Sequence, residues 1–186
     1  KPGDRIATLV SLSLTPLKLR RIRAVRPERD QVDVEGWAIL FETGVYAKLP
    51  PDLPDGLCLA ALDVCGAPAQ TARLVKPGDT VLILGGGGKS GLLCTYVARM
   101  AGAARVIAFD YSKESLDRAR RLGAAHEYIQ GDARDALAVM RAVEAGGGKA
   151  DLTLSCVNVS GAELSAILAT KPTGRIYFFS MATSFT

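Results

Sequence analysis

The segment Gly85-Gly86-Gly87-Gly88-Lys89-Ser90-Gly91 constrains this chain more than any other. It follows the apolar run Thr80-Val81-Leu82-Ile83-Leu84 and opens a stretch with Leu92, Leu93, Tyr96, Val97 and Met100 at helical spacing. A second apolar run, Arg105-Val106-Ile107-Ala108-Phe109, then ends in Asp110. The order predicts a buried strand, a glycine turn, a helix, a second buried strand and a terminal carboxylate. Gly86-x-Gly88-x-x-Gly91 fits the dinucleotide fingerprint, and Asp110 follows at about the 20-residue spacing that fingerprint expects.

Each part has a physical task. Gly86 permits the tight turn, Gly88 lets a pyrophosphate approach the backbone, and Gly91 lets the helix pack on the strand. The helix start then presents N–H groups and a positive dipole end to the phosphates. Lys89 and Ser90 flank the same position; Lys89 adds charge there or is a solvated lysine at a helix start. Asp110 accepts from the adenosine ribose hydroxyls and, by repelling a 2′-phosphate, favours NAD over NADP. An ATPase phosphate loop fits poorly, because it needs a glycine five positions before Gly88, where Ile83 stands. A methyltransferase using adenosylmethionine shares the turn and the second-strand acid. Such enzymes usually carry an acid in or near the end of the first strand, where Val81 to Leu84 are all apolar.

The alternation of strands and helices continues from Leu57 onward. A helical stretch is expected over about Leu57–Leu74, interrupted or kinked at Pro68, before the turn Lys76-Pro77-Gly78-Asp79. Ser112 is expected to cap a helix carrying Leu116, Ala119 and Leu122 on one face. Glu127–Ile129 is a short third strand, followed by a helix with Leu137, Met140 and Val143. Leu152–Val157 forms a fourth strand and Ala162–Ala169 a helix. After a turn at Lys171-Pro172-Thr173-Gly174, Ile176–Phe179 supplies a fifth. The pattern predicts an α/β, doubly wound parallel sheet of Rossmann type. Ligands in such sheets lie across the carboxyl ends of the strands. That places Asp132 beside the adenine, or at a helix N-cap, and brings Val157, Asn158 and Ser180 toward the nicotinamide half.

Residues 5–49 read differently, as strands over Arg5–Leu12, Leu17–Val25 and Gln31–Phe41. The tract from Leu49 to Gly56 contains Pro50, Pro51 and Pro54 and reads as a linker. The expected domains are therefore 1–56 and 57–186. Basic residues gather at Lys18, Arg20, Arg21, Arg23, Arg26 and Arg29 without aromatic stacking partners, so they read as a solvated strand face and not as a nucleic-acid surface. With 48% hydrophobic residues and a net charge of +4, the composition is that of an ordinary soluble protein. No apolar run reaches the roughly 20 residues of a membrane span. Cys58, Cys65, Cys94 and Cys156 lack framework spacing and read as buried, reduced thiols of a cytoplasmic protein. They also lack zinc-site spacing, and the single histidine, His126, is far from them in sequence, so no metal ligand is assigned. Asp63 is an active-site carboxylate or a buried helix acid paired with an arginine. A start at Lys1, without methionine, suggests a fragment.

Several stretches carry a resemblance. They are Ser11-Leu12-Ser13-Leu14-Thr15-Pro16-Leu17, Leu62-Asp63-Val64-Cys65-Gly66-Ala67-Pro68, Gly87-Gly88-Lys89-Ser90-Gly91 and Phe178-Phe179-Ser180-Met181-Ala182-Thr183-Ser184-Phe185-Thr186. With the strand-rich start and the Leu-Pro linker, the chain resembles the medium-chain dehydrogenase family. The resemblance implies a partial GroES-like catalytic domain before the nucleotide domain, both truncated. It further implies an NAD-dependent amino-acid dehydrogenase that oxidises the 3-amine of a small diamino acid, releasing ammonia. The piece as given is expected to bind cofactor without turnover, and full-length relatives to pair through the nucleotide-domain edge as homo-oligomers. Ala60 stands near where many zinc-dependent members supply a ligand, which argues against zinc dependence, while a small alignment shift would bring Asp63 there. Alternatives are a zinc-free quinone or enone reductase using NAD(P)H, and a non-catalytic nucleotide-binding relative.

Overall fold

Alternation along the buried strands decides how residues 64–186 fold. A computed structural model of the chain describes residues 3–8, 13–29 and 31–180, and separates it into two compact units, residues 1–63 and 64–186. The expected strand end at Ser11-Leu12 and the closing Met181–Thr186 stretch lie outside the described residues.

In the second unit, five strands form one parallel sheet: β5 (Thr80–Leu84), β6 (Arg105–Asp110), β7 (Glu127–Gln130), β8 (Ala150–Ser155) and β9 (Thr170–Phe178). Their order is β7-β6-β5-β8-β9. This order matches the first five strands of the nucleotide-binding sheet, with its reversal point between β5 and β8. Val81 and Ile83 point to one face with Val106, Ala108, Leu152 and Leu154; Leu82 and Leu84 point to the other with Ile107 and Phe109. The first face packs residues of α2 (Gly66–Leu74), α3 (Lys89–Met100) and α4 (Lys113–Arg121). The second packs α5 (Ala136–Ala145) and α6 (Ala162–Ala169). Each fully buried Leu or Ile contributes about 1.5–3 kcal/mol relative to exposure, so these two faces dominate the driving force. The polar interruption in β8 is satisfied: Thr153 and Thr170 share a hydroxyl hydrogen bond of 2.7 Å in the interior.

Several expectations are corrected. The stretch 57–74 is two helices, α1 (Asp55–Val64) and α2, and the break falls at Cys65, not Pro68. Pro68 sits in the first turn of α2, where a missing N–H leaves no bond unmade. Cys65 is exposed in that break, so it is not a buried thiol, whereas Cys58 and Cys94 are. Helix α3 turns Gly91, Cys94, Thr95 and Ala98 inward and leaves Tyr96 and Met100 exposed. Helix α5 buries Ala136, Val139 and Val143 while Leu137 is exposed, and Leu122 is exposed at the end of α4. Small side chains face the sheet because they let the helix axis come close. Leu92, Leu93, Tyr96, Leu122 and Ala124 instead line a shallow apolar groove on the outer surface. Lys171 to Gly174 lie within β9, accommodated by a register shift between the Ala150–Thr170 and Leu152–Arg175 pairs.

The first unit pairs β1 (Ile6–Thr8) antiparallel with β4 (Tyr46–Lys48), and β2 (Lys18–Arg26) antiparallel with β3 (Gln31–Trp37) around a short 3₁₀ turn at Pro27–Arg29. The proline tract is held by Arg5, which donates to the carbonyls of Pro50 (3.1 Å) and Leu53 (2.9 Å) and pairs with Asp55. Across the β2–β3 ribbon Arg23 meets Glu35 and Arg26 meets Asp33, while Lys18 lies 5.7 Å from the Trp37 ring centre. No helix among the described residues is long and apolar enough to cross a membrane.

An ion pair ties β6 to β7 at the edge opposite their carboxyl ends. Glu127 accepts from Arg105 Nε at 2.6 Å and Nη2 at 2.8 Å, and Arg105 also donates to the carbonyls of Val143 and Gly148. Hydrogen bonding to Arg105 holds the Glu127 carboxyl below its ordinary 4.5. A carboxyl lowered on folding adds stability above its unfolded pKa, and that stability is lost as pH falls through the folded one. Urea unfolding is therefore expected to show Glu127→Gln less stable than the parent above pH 4.5, with the gap closing under more acid conditions. A gap independent of pH would contradict this assignment.

Candidate dinucleotide site

The carboxyl end of β5 delivers the chain into a turn that only glycine can make. Gly85 takes a left-handed conformation (φ 79°), so the strained position lies one residue before the expected Gly86. The N–H groups of Gly85 and Gly86 both donate to the Phe109 carbonyl, at 2.8 and 3.1 Å, and Gly88 N–H closes the turn on the Gly85 carbonyl at 3.0 Å. A Cβ on Gly86 would stand 2.8 Å from the Ala108 Cα, and one on Gly87 would stand 2.7 Å from the Ser115 backbone. A Cβ on Gly91 would stand 1.9 Å from the Gly85 carbonyl oxygen. Gly88 differs, since its Cβ would meet only that oxygen, at 3.3 Å. Three glycines are thus fixed by protein packing, and Gly88 is the one with space beside it.

Helix α3 begins at Gly88 without a side-chain cap, whereas Ser112 caps α4 and Asp135 caps α5. Asp132 is therefore not the N-cap of α5. The first-turn N–H groups of any helix lack intrahelical acceptors, and a side-chain cap is one common partner for them. Thr95 ties the helix back to the turn, donating to the carbonyls of Gly91 (2.8 Å) and Gly86 (3.2 Å).

Asp110 ends β6 beside this turn. Its Oδ2 accepts from Gly87 N–H and its Oδ1 from Ser112 N–H, both at 2.9 Å. The carboxylate is thereby oriented by backbone on two sides. It lines a cavity of about 310 Å³ with Gly85, Tyr111, Asp132, Arg134 and Val157, whose remaining walls are apolar. Asp132 accepts from the Arg134 backbone N–H at 2.9 Å and from its guanidinium at 2.6–3.0 Å. That grip lowers the Asp132 carboxyl to about 2.

The structure thus gathers Asp110, Asp132 and Val157 around one cavity at the edge of the glycine turn. Lys89 is exposed and Ser90 half-buried at the start of α3, while exposed Asn158 and half-buried Ser180 follow β8 and β9 without lining that cavity. Asp63 is the penultimate residue of α1, and its side chain lies outside the described residues. Tyr111, Arg134 and Val159 also line the cavity but were not expected there. Tyr111 and Arg134 had a positional signal, each standing within two residues of a carboxylate that follows a predicted strand.

Two family profiles match. Residues 1–50 match the L-erythro-3,5-diaminohexanoate dehydrogenase N-terminal domain, and residues 91–185, just over half of the chain, match zinc-binding dehydrogenase. The chain belongs to the zinc-binding, medium-chain dehydrogenase family. Proteins named L-erythro-3,5-diaminohexanoate dehydrogenase from Acetoanaerobium sticklandii and Fusobacterium nucleatum subsp. nucleatum are 50% and 49% identical to it, over the whole of this chain. The chain spans 55% of the length of each. An alcohol dehydrogenase from Thermus sp. ATN1 superposes with a TM-score of 0.64 at 26% identity, covering 80% of this chain and 44% of its own. The structure of AibC, at 23% identity, shares the fold over all of this chain and 58% of its own, with a TM-score of 0.66. Zinc, which the family name carries, finds no group of three or more His, Cys, Asp or Glu donors among the described residues. His126 instead accepts the Val106 N–H through Nδ1 at 2.9 Å.

The packing of the turn makes a direct prediction. Gly91→Ala is expected to lower stability by more than about 2 kcal/mol, because a backbone carbonyl cannot move aside as a side chain can. Gly88→Ala is expected to cost clearly less. Chemical unfolding of the two variants measures the difference, and equal losses would refute this account of the turn.

Proposed function

We propose that the chain is the nucleotide-binding part of an NAD-dependent dehydrogenase acting on L-erythro-3,5-diaminohexanoate. The observation that carries the cofactor reading is the Asp110 carboxylate, fixed by Gly87 and Ser112 at the mouth of the turn and facing the adjoining cavity. The substrate reading rests on the 50% identity to the Acetoanaerobium sticklandii protein of that name.

The residues fit a dinucleotide. Gly88 offers close backbone approach, and the uncapped start of α3 offers N–H donors and a positive dipole end to a diphosphate. Lys89 and Ser90 border the same place. Asp110 accepts from ribose hydroxyls, while Tyr111, Val157 and Val159 supply the apolar walls that a purine needs. Asn158 and Ser180, at the carboxyl ends of β8 and β9, are assigned to the nicotinamide half. Asp63 is assigned as the candidate proton acceptor for the substrate ammonium.

When bound, NAD would accept hydride from C3 of the substrate as its amine becomes an imine, which water converts to 5-amino-3-oxohexanoate and ammonia. The protein's own work is to hold the diphosphate and ribose rigidly, exclude competing solvent and manage the substrate proton. Asp110 also favours NAD over NADP, since a 2′-phosphate would meet a carboxylate.

Two measurements test this. NADH fluorescence should rise on binding, and Asp110→Asn should weaken that binding about tenfold or more, the worth of hydrogen bonds to a charged acceptor. No fluorescence change at millimolar NADH would remove the cofactor reading. In the full-length protein, NADH should form from NAD with 3,5-diaminohexanoate and not with simple alcohols. The reverse preference would remove the substrate reading alone.

A further inference from the structure

The cavity beside Asp110 holds a second carboxylate and an arginine that the fingerprint does not call for. Asp132 follows β7 and Arg134 stands two residues on, and both line the same wall of space as Asp110 and Tyr111. Arginine is the side chain best suited to a phosphate, because its planar fork gives paired, charge-assisted hydrogen bonds. Here that fork is turned onto its own chain. Arg134 Nε lies 3.0 Å from both oxygens of Asp132, Nη2 lies 2.6 Å from Oδ2, and the Arg134 backbone N–H donates to Oδ1 at 2.9 Å. A pair only two residues apart closes with little loop entropy, so it forms readily even though the Arg134 side chain is 64% exposed. Its stability contribution is small for the same reason of exposure. Its effect on a ligand is not, because it decides what the guanidinium is available to bind.

We infer that Asp132 is a specificity-determining residue for the dinucleotide: by holding the Arg134 guanidinium it withholds from a 2′-phosphorylated adenosine the one cation that lines this cavity among the described residues. This rests on the dinucleotide reading and extends it, since selectivity is then set by two carboxylates and not by Asp110 alone. Asp110 disfavours the 2′-phosphate by charge. Asp132 disfavours it by occupying the compensating partner. The Asp132 carboxyl, held near 2 by Arg134, remains ionised at any pH where the cofactor would be bound. Tyr111, in the same cavity lining, would offer its ring to the adenosine.

The test is the ratio of NADPH to NADH affinity, read by fluorescence titration of the 186-residue chain. Asp132→Ala is expected to raise that ratio about tenfold, the worth of a charge-assisted hydrogen bond to phosphate. Asp132→Asn, which keeps the shape and an acceptor oxygen but loses the charge, is expected to raise it less, and covers the case in which the alanine variant fails to fold. Adding Arg134→Ala to either variant is expected to abolish the gain, because the released guanidinium is its source. A ratio unchanged in both single variants would overturn the inference while leaving NADH binding intact. A gain that survives Arg134→Ala would also overturn it, by showing that the charge of Asp132 acts alone. If neither nucleotide binds the parent chain, the dinucleotide reading falls and this inference falls with it.

Discussion

The site depends on a contact in which no side chain takes part. At the end of β5 the Gly85 carbonyl oxygen stands 1.9 Å from where a Cβ on Gly91 would be, so α3 can start at this point only because Gly91 is bare. That contact fixes where the helix begins and how close it lies to the sheet. The small inward face of α3, with Cys94, Thr95 and Ala98 following Gly91, continues the same close approach down the helix. Thr95 locks it by donating to the Gly86 and Gly91 carbonyls. A bulkier inward face would lift the helix from the sheet and carry its N–H groups away from the turn.

The sheet itself was legible because buried parallel strands are nearly continuous apolar runs, and β5 and β6 are such runs, while β8 alternates Leu152 and Leu154 with polar residues. Their bounds and their connecting helices follow from glycine, proline and capping residues, as with Ser112 before α4. The helix faces were less legible. Periodicity assigns the largest apolar side chains to the interior; in α5 the expected Val143 is buried, but Ala136 and Val139 join it in place of Leu137, and in α3 Cys94, Thr95 and Ala98 take the inner face. The reason is geometric: a helix lying close on a sheet between two glycine-rich turns has room for a methyl or a thiol, not for Tyr96 or Met100. The resulting outer surface is more apolar than the pattern suggests.

The candidate site was readable where a motif carried the chemistry and opaque where tertiary contact did. Asp110 was found by spacing from Gly91. Arg134 was not, because its relevance comes only from β7 ending next to β6, which brings the residues after each strand to one cavity. The unresolved alternative for Asp132, adenine neighbour or helix cap, could be decided only by seeing Asp135 accept from Ala138. Cys156 illustrates the same limit from the other side. Half-buried Cys156 packs against the core behind the turn, and hydrogen bonding with Cys94 and burial push its thiol up.

The two bonds that Asp110 makes to backbone have an evolutionary corollary. Under the proposed cofactor reading, Asp110 would both steer a ligand and brace its own loop, and could not be exchanged for the former purpose without disturbing the latter. Drift toward phosphorylated cofactors at this position would leave the Gly87 and Ser112 amides without their acceptor. The easier path for such drift runs through neighbours that are not part of the brace, where one substitution alters affinity and leaves the loop standing.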